Sequence, residues 1–240
     1  MTDHSATETT LRIATYNIRK AMGTDRRRDP DRVLRVIAAL EADVVLLQEA
    51  DLRLPPRPPA LDRAAVTQIT GLVPVAFGHG RTSLGWHGNA VLVRPGIEVL
   101  GSGHHDLPGL EPRGHVEVQL SRNGLPFRVM GVHLGLLRSS RRRQLTALNG
   151  LLAGAQALPT LVAGDFNERS LTVGLGRLAR QFRILSGGPT YHSRWPVFPL
   201  DRIAVTAEFQ DLTIRAFRST EASLASDHLP LVADLRLLRG

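Results

Sequence analysis

The chain reads as an α/β protein in which two β-sheets pack together and helices cover their outer faces. Three features of the order predict this. The chain opens strand, helix, strand; its middle is a run of strands with turns between them; helix, strand, helix and further strands close it. Two stacked sheets with helices outside give every apolar face a partner. A single doubly wound sheet is the competing arrangement, but it expects helices more regularly between strands.

Residues 11–17 alternate and are rich in β-formers, which predicts the first strand. Asp29 or Asp31 can cap a helix that carries Val33, Leu34, Ile37, Ala38 and Leu40 at helical spacing. Val44, Val45, Leu46 and Leu47 form a nearly continuous apolar strand, the pattern of a strand buried on both faces. Residues 54–59 hold four prolines and must be irregular. Strands are predicted near 72–77, 89–94, 97–102, 115–120 and 127–133, with Arg94-Pro95-Gly96 and Arg122-Asn123-Gly124 as turns. A second helix is expected over 140–155, with Leu145, Leu148, Leu151 and Leu152 on one face. Residues 160–163 read as a buried strand, 171–182 as a helix, and 202–206, 212–216 and 231–237 as closing strands.

Composition bounds the function classes. A chain of 240 residues can bury one sizeable core, and 42% hydrophobic with 22% charged residues argues against wholesale disorder. The absence of cysteine excludes disulfides, thiolate metal sites and a cysteine nucleophile. The formal net charge is +8, and Lys20 is the one lysine among 30 basic residues. Such a surface attracts polyanions, nucleic acid or anionic lipid headgroups among them. Residues 1–10 are polar and lack the basic start and apolar run of a secretory signal, so they read as a flexible tail before a single domain over 11–240. The longest apolar stretches fall far short of the ~20 residues of a membrane span. The expectation is a soluble, cytoplasmic protein with no transmembrane segment, and no partner protein can be predicted.

Polar residues repeatedly end the apolar strands. Asn17 follows Ile13-Ala14-Thr15-Tyr16; Glu49 follows Leu46-Leu47-Gln48; His133 follows Met130-Gly131-Val132; Asp165 and Asn167 follow Val162-Ala163-Gly164. Asp201 precedes Arg202-Ile203-Ala204, and Asp227-His228 precedes Leu229-Pro230-Leu231. Strand ends on one side of a sheet are where loops gather polar groups around a ligand. Each residue alone also has an ordinary reading as a turn former, helix cap, ion-pair partner or packed histidine.

Together these segments resemble the endonuclease/exonuclease/phosphatase family, in its deoxyribonuclease I-like and sphingomyelinase-like branch. The matching pieces are Thr15-Tyr16-Asn17, Leu47-Gln48-Glu49, Gly88-Asn89-Ala90, Val132-His133-Leu134, Gly164-Asp165-Phe166-Asn167, Leu200-Asp201-Arg202-Ile203 and Ser226-Asp227-His228-Leu229-Pro230. They stand in family order and span most of the chain. The resemblance implies a four-layer α/β sandwich, two mixed sheets flanked by helices. It also implies hydrolysis of phosphate esters with Mg2+, or Mn2+ as a substitute.

By the same resemblance Glu49 binds the metal, Asn17 lies nearby, and Asp227 belongs to the metal and phosphate neighbourhood. Oxygen donors suit a hard divalent ion. His228 contacts the scissile phosphate and Asp201 orients it; Asp165 aligns or deprotonates the attacking water, and Asn167 holds a phosphate oxygen. His133 matches a histidine that abasic-site endonucleases of this fold lack, and Arg19 replaces an acidic residue of those enzymes. Arg113 matches an arginine that positions phosphate, a role suited to a guanidinium. Gly164 is read as leaving room for substrate, and Asn89 as bracing a loop. The implied activity is that of a phosphodiesterase or nuclease acting on DNA or RNA. A lipid headgroup phosphodiesterase in peripheral contact with lipid, a small-molecule phosphatase, and a non-catalytic binding protein are the alternatives. Two arginine runs, Arg26-Arg27-Arg28 and Arg138 with Arg141, Arg142 and Arg143, could guide a polyanion at the rim or be solvated arginines. The aromatics Trp86, Tyr191 and Trp195 near the same mouth could stack on a base or rest against a lipid headgroup, or, for Trp195, pack under a loop.

Overall fold

The computed structural model describes residues 8–52, 57–78, 83–170 and 173–239. Its strands are β1 (Glu8–Asn17), β2 (Val44–Gln48), β3 (Val73–Pro74), β4 (Ala90–Val93), β5 (Glu98–Leu107), β6 (Arg113–Arg122), β7 (Leu125–His133), β8 (Thr160–Asp165), β9 (Arg183–Leu185), β10 (Asp201–Val205), β11 (Phe209–Ala216) and β12 (Leu231–Leu238). The helices are α1 (Pro30–Ala39), α2 (Arg63–Thr70), α3 (Arg138–Gly154) and α4 (Thr220–Ala225).

The strands form two six-stranded sheets, ordered β11-β12-β1-β2-β4-β3 and β5-β6-β7-β8-β10-β9. Both are mixed: β1 runs parallel to β2 and β7 to β8, and the remaining pairs are antiparallel. Alternation along the strands decides the layers. Ile13, Leu46, Val91, Ala233 and Leu235 of the first sheet meet Val116, Phe127, Val129, Leu161 and Ile203 of the second in a central core. The opposite face of the first sheet, with Ala14, Tyr16, Val45 and Leu47, packs on Val33, Leu34 and Ile37 of α1, Val66 of α2 and Ala222 of α4. Met130, Val132, Val162 and Ala204 of the second sheet pack on Leu145 and Leu148 of α3. The result is the four-layer sandwich. Each fully buried Leu, Ile or Val contributes roughly 1.5–3 kcal/mol, so the apolar runs that define β2 and β8 also fix their central places.

Local chemistry explains both the agreements and the departures. α1 starts where Asp29 accepts from the Arg32 N–H (2.9 Å) with Pro30 in the first turn. Strand β1 reaches back to Glu8, paired with Leu238, so three residues read as tail belong to a sheet. The sequence reading has no counterpart for α2, which buries only Val66 and Thr70. Its signal lay in its ends, Asp62 capping the Ala65 N–H and Gly71 at φ 69°. It also has none for α4 and β9, six and three residues long. The helix expected over 171–182 is instead a set of hydrogen-bonded turns over 175–182, with 171 and 172 outside the described residues. Gly174 at φ 98° interrupts any helix there, while the turns still bury Leu175, Leu178 and Phe182. In α3 Leu145 and Leu148 face inward but Leu151 is exposed. Residues 53–56 of the proline-rich loop lie outside the described residues.

Candidate active site

The topology brings the polar strand ends to one edge of the sandwich. Asn17 ends β1 and stands opposite Gln48, whose successor is Glu49. His133 ends β7 opposite Asp165, and Asp165 ends β8 opposite Asp201, the first residue of antiparallel β10. Three of the candidates therefore share one cross-strand row. His228 lies just before β12, and its backbone N–H donates to Ser226 Oγ (3.2 Å), which itself donates to the Asn17 carbonyl (2.7 Å). Ser226 thus ties the His228 loop to the end of β1.

Side-chain contacts join these ends into a network. His228 Nδ1 donates to Asp201 Oδ2 (2.9 Å), and the same oxygen accepts from Thr190 Oγ1 (2.6 Å). His228 Nε2 lies 3.7 Å and His133 Nε2 3.5 Å from Asp165 Oδ2. That oxygen also accepts from Asn17 Nδ2 (3.0 Å), a bond from the first sheet to the second. Arg113 Nη1 donates to His133 Nδ1 (2.8 Å) and is itself held by Glu111 (2.9 Å). Because Nδ1 accepts, the neutral ring of His133 carries its proton on Nε2, toward Asp165. The Tyr191 ring lies 5.0 Å from that of His228.

Burial gives these groups their electrostatics. Burial pushes the Asp165 carboxyl above the usual carboxylate range, and nearby Asp201 adds to the effect against the opposing pull of His228. For His228 burial works against the charged ring, yet Asp201 and Asp165 outweigh it and raise the imidazole to about 9. The pair is an imidazolium steadied by one carboxylate beside a second carboxylate that holds protons unusually well.

The remaining candidates are arranged around this network. Glu49 sits at φ 54° and forms an ion pair with Lys20; Asp227 pairs with Arg19 Nε (3.3 Å), whose N–H donates to Asn17 Oδ1 (3.1 Å). The three residues proposed as metal ligands are therefore neighbours through the backbone of residues 17–20, with each carboxylate neutralised by a side chain of that turn. Arg19, Lys20 and Ala21 are three consecutive residues at positive φ, a conformation costly for non-glycine residues. Among the described residues no three His, Asp or Glu side chains converge as a metal cage. Hard oxygen donors from one or two carboxylates, completed by water and phosphate, are nonetheless what magnesium uses, and the cation already beside Glu49 shows that its carboxylate can be reached by positive charge. The residues fit such an ion.

Asn167, at φ 51°, donates from Nδ2 to the Leu134 carbonyl (2.8 Å), while its N–H donates to Asp165 Oδ1 (2.9 Å). It braces the loops after β7 and β8. The space expected at Gly164 for substrate belongs to the neighbouring strand instead: a Cβ there would fall 1.8 Å from the Val132 carbonyl oxygen. Asn89 braces a loop as expected, donating to the Gly114 carbonyl (2.9 Å). A cavity of about 500 Å³ is lined by Lys20, Glu49, Arg57, His87, Arg113 and His133, with apolar residues at its mouth. Lys20, Thr190 and Arg57 were not singled out as site residues; the only sequence signal was that Lys20 is the sole lysine. Of the arginine runs, Arg26, Arg27 and Arg28 are exposed, as are Arg138, Arg142 and Arg143, but Arg141 is buried against Glu168 (2.9 Å). Trp195 is 77% exposed, beside Arg194, which donates to Thr24 (3.0 Å).

A buried imidazolium facing a carboxylate of raised proton affinity, at the open strand ends of a sandwich, is suited to the hydrolysis of an ester. The ester is a phosphate: the chain belongs to the Endonuclease/Exonuclease/phosphatase family, whose profile matches residues 14–228 and whose members are phosphoesterases. The family's enzymes generally use divalent metal ions. The chain is 32% identical over 253 residues to the uncharacterized protein YbhP of Escherichia coli K12, covering 95% of this chain and 96% of that one. In fold it is similar to the mannosyl-6-phosphatase Bt3783 of Bacteroides thetaiotaomicron VPI-5482 (TM-score 0.72, 17% identity, 94% of this chain and 99% of that one). It is also similar to D. rerio TDP2 complexed with a single-strand DNA product (TM-score 0.69, 17% identity, 95% and 99%). Among the described residues no helix is long and apolar enough to cross a membrane.

Proposed function

We propose that the protein is a magnesium-dependent phosphodiesterase, with manganese as a substitute, acting on an anionic phosphodiester at the edge where the two sheets meet. The observation that carries this reading is the convergence of His133 and His228 on one oxygen of Asp165, at 3.5 and 3.7 Å. The ion, held by Glu49 with Asn17 and Asp227 nearby, would supply Lewis-acid polarisation of a phosphate oxygen and charge for the leaving oxygen. Asp165 takes the proton of the attacking water, a task suited to a carboxylate of raised proton affinity. His228, kept charged by Asp201, and His133, held by Arg113, donate to the phosphate oxygens as negative charge grows on them. Asn167 keeps the Asp165 loop in place and offers its amide beside the phosphate.

A nucleic acid strand and a phospholipid surface both answer to the net charge of +8, and the nucleic acid reading rests on that charge. The fold does not choose between them, since a sugar phosphatase and a protein bound to a DNA product share it. The test is turnover of plasmid DNA, short RNA, phospholipid vesicles, a soluble aryl phosphodiester and an aryl phosphomonoester, each with magnesium and with chelator. Hydrolysis of a diester that chelator stops and magnesium restores supports the reading. Turnover of the monoester alone, or turnover indifferent to chelator, overturns it.

A further inference from the structure

The rim of the cleft presents apolar surface that the chemistry does not use. Leu110, Leu136 and Leu137 are 77, 65 and 50% exposed, and Leu110 and Leu136 border the mouth of the cavity. They stand on two segments that pack together: Gly109 lies against Ser140 and Gln144 of α3, and the Leu136 N–H donates to Glu111 (3.4 Å). Leu137 is also the N-cap of α3 and makes no side-chain capping bond. A serine or aspartate there would stabilise the helix, so a half-exposed leucine at this position is not explained by capping. Beside these leucines Arg138, Arg142 and Arg143 are exposed, and Arg142, Arg143 and Arg177 line a shallow basic depression with Pro108 and Ser139. Glu111, which stands between these leucines, is engaged by Arg113 (2.9 Å).

Leucines beside arginines distinguish between polyanions. A nucleic acid strand gains from arginines and from aromatic rings that stack on bases, and gives a leucine little to bind. An anionic bilayer uses both, taking apolar side chains into the boundary between headgroups and acyl chains while guanidiniums meet lipid phosphates. We propose that the surface formed by Leu110, Leu136, Leu137, Arg138, Arg142 and Arg143 docks on an anionic phospholipid bilayer and sets the mouth of the cleft against the headgroups. As a statement about substrate, this rests on the phosphodiesterase reading above: the cleft would add water across a P–O bond of a headgroup diester, giving one phosphate monoester and one alcohol.

Docking and chemistry can be read separately. The full chain is sedimented, in chelator so that nothing turns over, with phosphatidylcholine vesicles and with vesicles that also contain phosphatidylglycerol. Leu137→Ser and the pair Arg142→Glu/Arg143→Glu are compared with the parent, with circular dichroism confirming their folds; serine at 137 supplies the missing cap. The parent is expected to sediment with the anionic vesicles and not with neutral ones. Each variant should lose about tenfold or more in vesicle affinity while hydrolysing a soluble aryl phosphodiester like the parent. Sedimentation that ignores phosphatidylglycerol, or variants that bind as the parent does, overturns the docking surface. So does loss, in the same variants, of binding to a single-stranded oligonucleotide when the parent ignores vesicles. Vesicle binding without hydrolysis of any diester leaves the docking surface standing and removes the phosphodiesterase reading instead.

Discussion

His228 and Asp201 act as one unit, because a 2.9 Å bond between buried groups leaves neither free to change role alone. His228→Ala should therefore lower turnover roughly a hundredfold or more. Asp201→Asn should lower it through the same ring and add little once His228 is gone. A double-mutant cycle on turnover measures this, and full additivity would separate the two residues. His115 offers a pH test away from the site. It is fully buried, stacked on His105 at 5.2 Å, and neither ring nitrogen has a hydrogen-bond partner among the described residues. Burial, with His105 and His104 adding to it, lowers its pKa to about 4 from 6.5. The unfolded chain binds the proton more readily, so the stability from a neutral His115 is complete above pH 6.5 and is lost as pH falls toward 4. That loss is on the order of 3 kcal/mol at most. His115→Leu should flatten the fall of melting temperature between neutral pH and pH 4.5, and an unchanged acid slope would show that the ring is not the cause. Strand-end residues such as Asp201 were legible because a polar residue closing an apolar run is a local pattern. Thr190 was not, since only the return of its loop onto β10 makes it a donor to Asp201.

The site stands on loops, and an arginine of α3 fastens them. Arg141 donates to the carbonyls of Gly135 (3.3 Å) and Leu136 (2.6 Å), just after β7, and to Glu168 (2.9 Å), just after β8. Those loops follow directly on His133 and Asp165, and the second carries Asn167. Arg202, 1% exposed, secures the second loop by donating to the Glu168 carbonyl (3.3 Å). Arg141→Met leaves Glu168 buried without its cation, a loss of about 3–5 kcal/mol. The melting temperature should fall by about 10 °C for a chain of this size, and turnover should fall with it. Adding Glu168→Gln removes the stranded charge, so the double variant should recover part of the stability. A double variant no more stable than Arg141→Met would show that the carbonyl contacts, not the ion pair, matter. The sequence placed Arg141 in a run of surface arginines because charge patterning cannot tell a solvated guanidinium from a clasp. The same limit explains the elements. Long apolar strands declare themselves, whereas α2 and α4 bury too few side chains to show a period, and the 175–182 turns imitate helical spacing without a helix.

Across the molecule, the candidate site joins the two sheets rather than decorating one of them. Asn17 and Glu49 come from the ends of β1 and β2, His133, Asp165 and Asp201 from β7, β8 and β10, and bonds from Asn17 to Asp165 (3.0 Å), from His228 to Asp201 (2.9 Å) and from Asn89 to the Gly114 carbonyl (2.9 Å) cross between the sheets at this edge. An ion bound at Glu49 and a phosphate held by the histidines would add contacts on both sides of that seam, and a ligand that binds only the folded state stabilises it by mass action. At a hundred times the dissociation constant this is about 2.7 kcal/mol, or a rise in melting temperature of about 5–10 °C. Magnesium should therefore raise the melting temperature of the parent protein, and chelator should reverse the rise. Glu49→Gln should abolish most of the shift without unfolding the chain, because it removes a ligand whose charge Lys20 otherwise balances. Lys20 sets the opposite expectation. An incoming cation must displace its ammonium from Glu49, so Lys20→Met should lower the melting temperature of the metal-free protein slightly and enlarge the magnesium-dependent shift by tightening metal affinity several-fold. Differential scanning fluorimetry across a magnesium titration reads all three proteins without any substrate. A shift that survives Glu49→Gln would move the ion elsewhere, and a smaller shift in Lys20→Met would make the lysine a partner of the bound state instead of a competitor for its ligand.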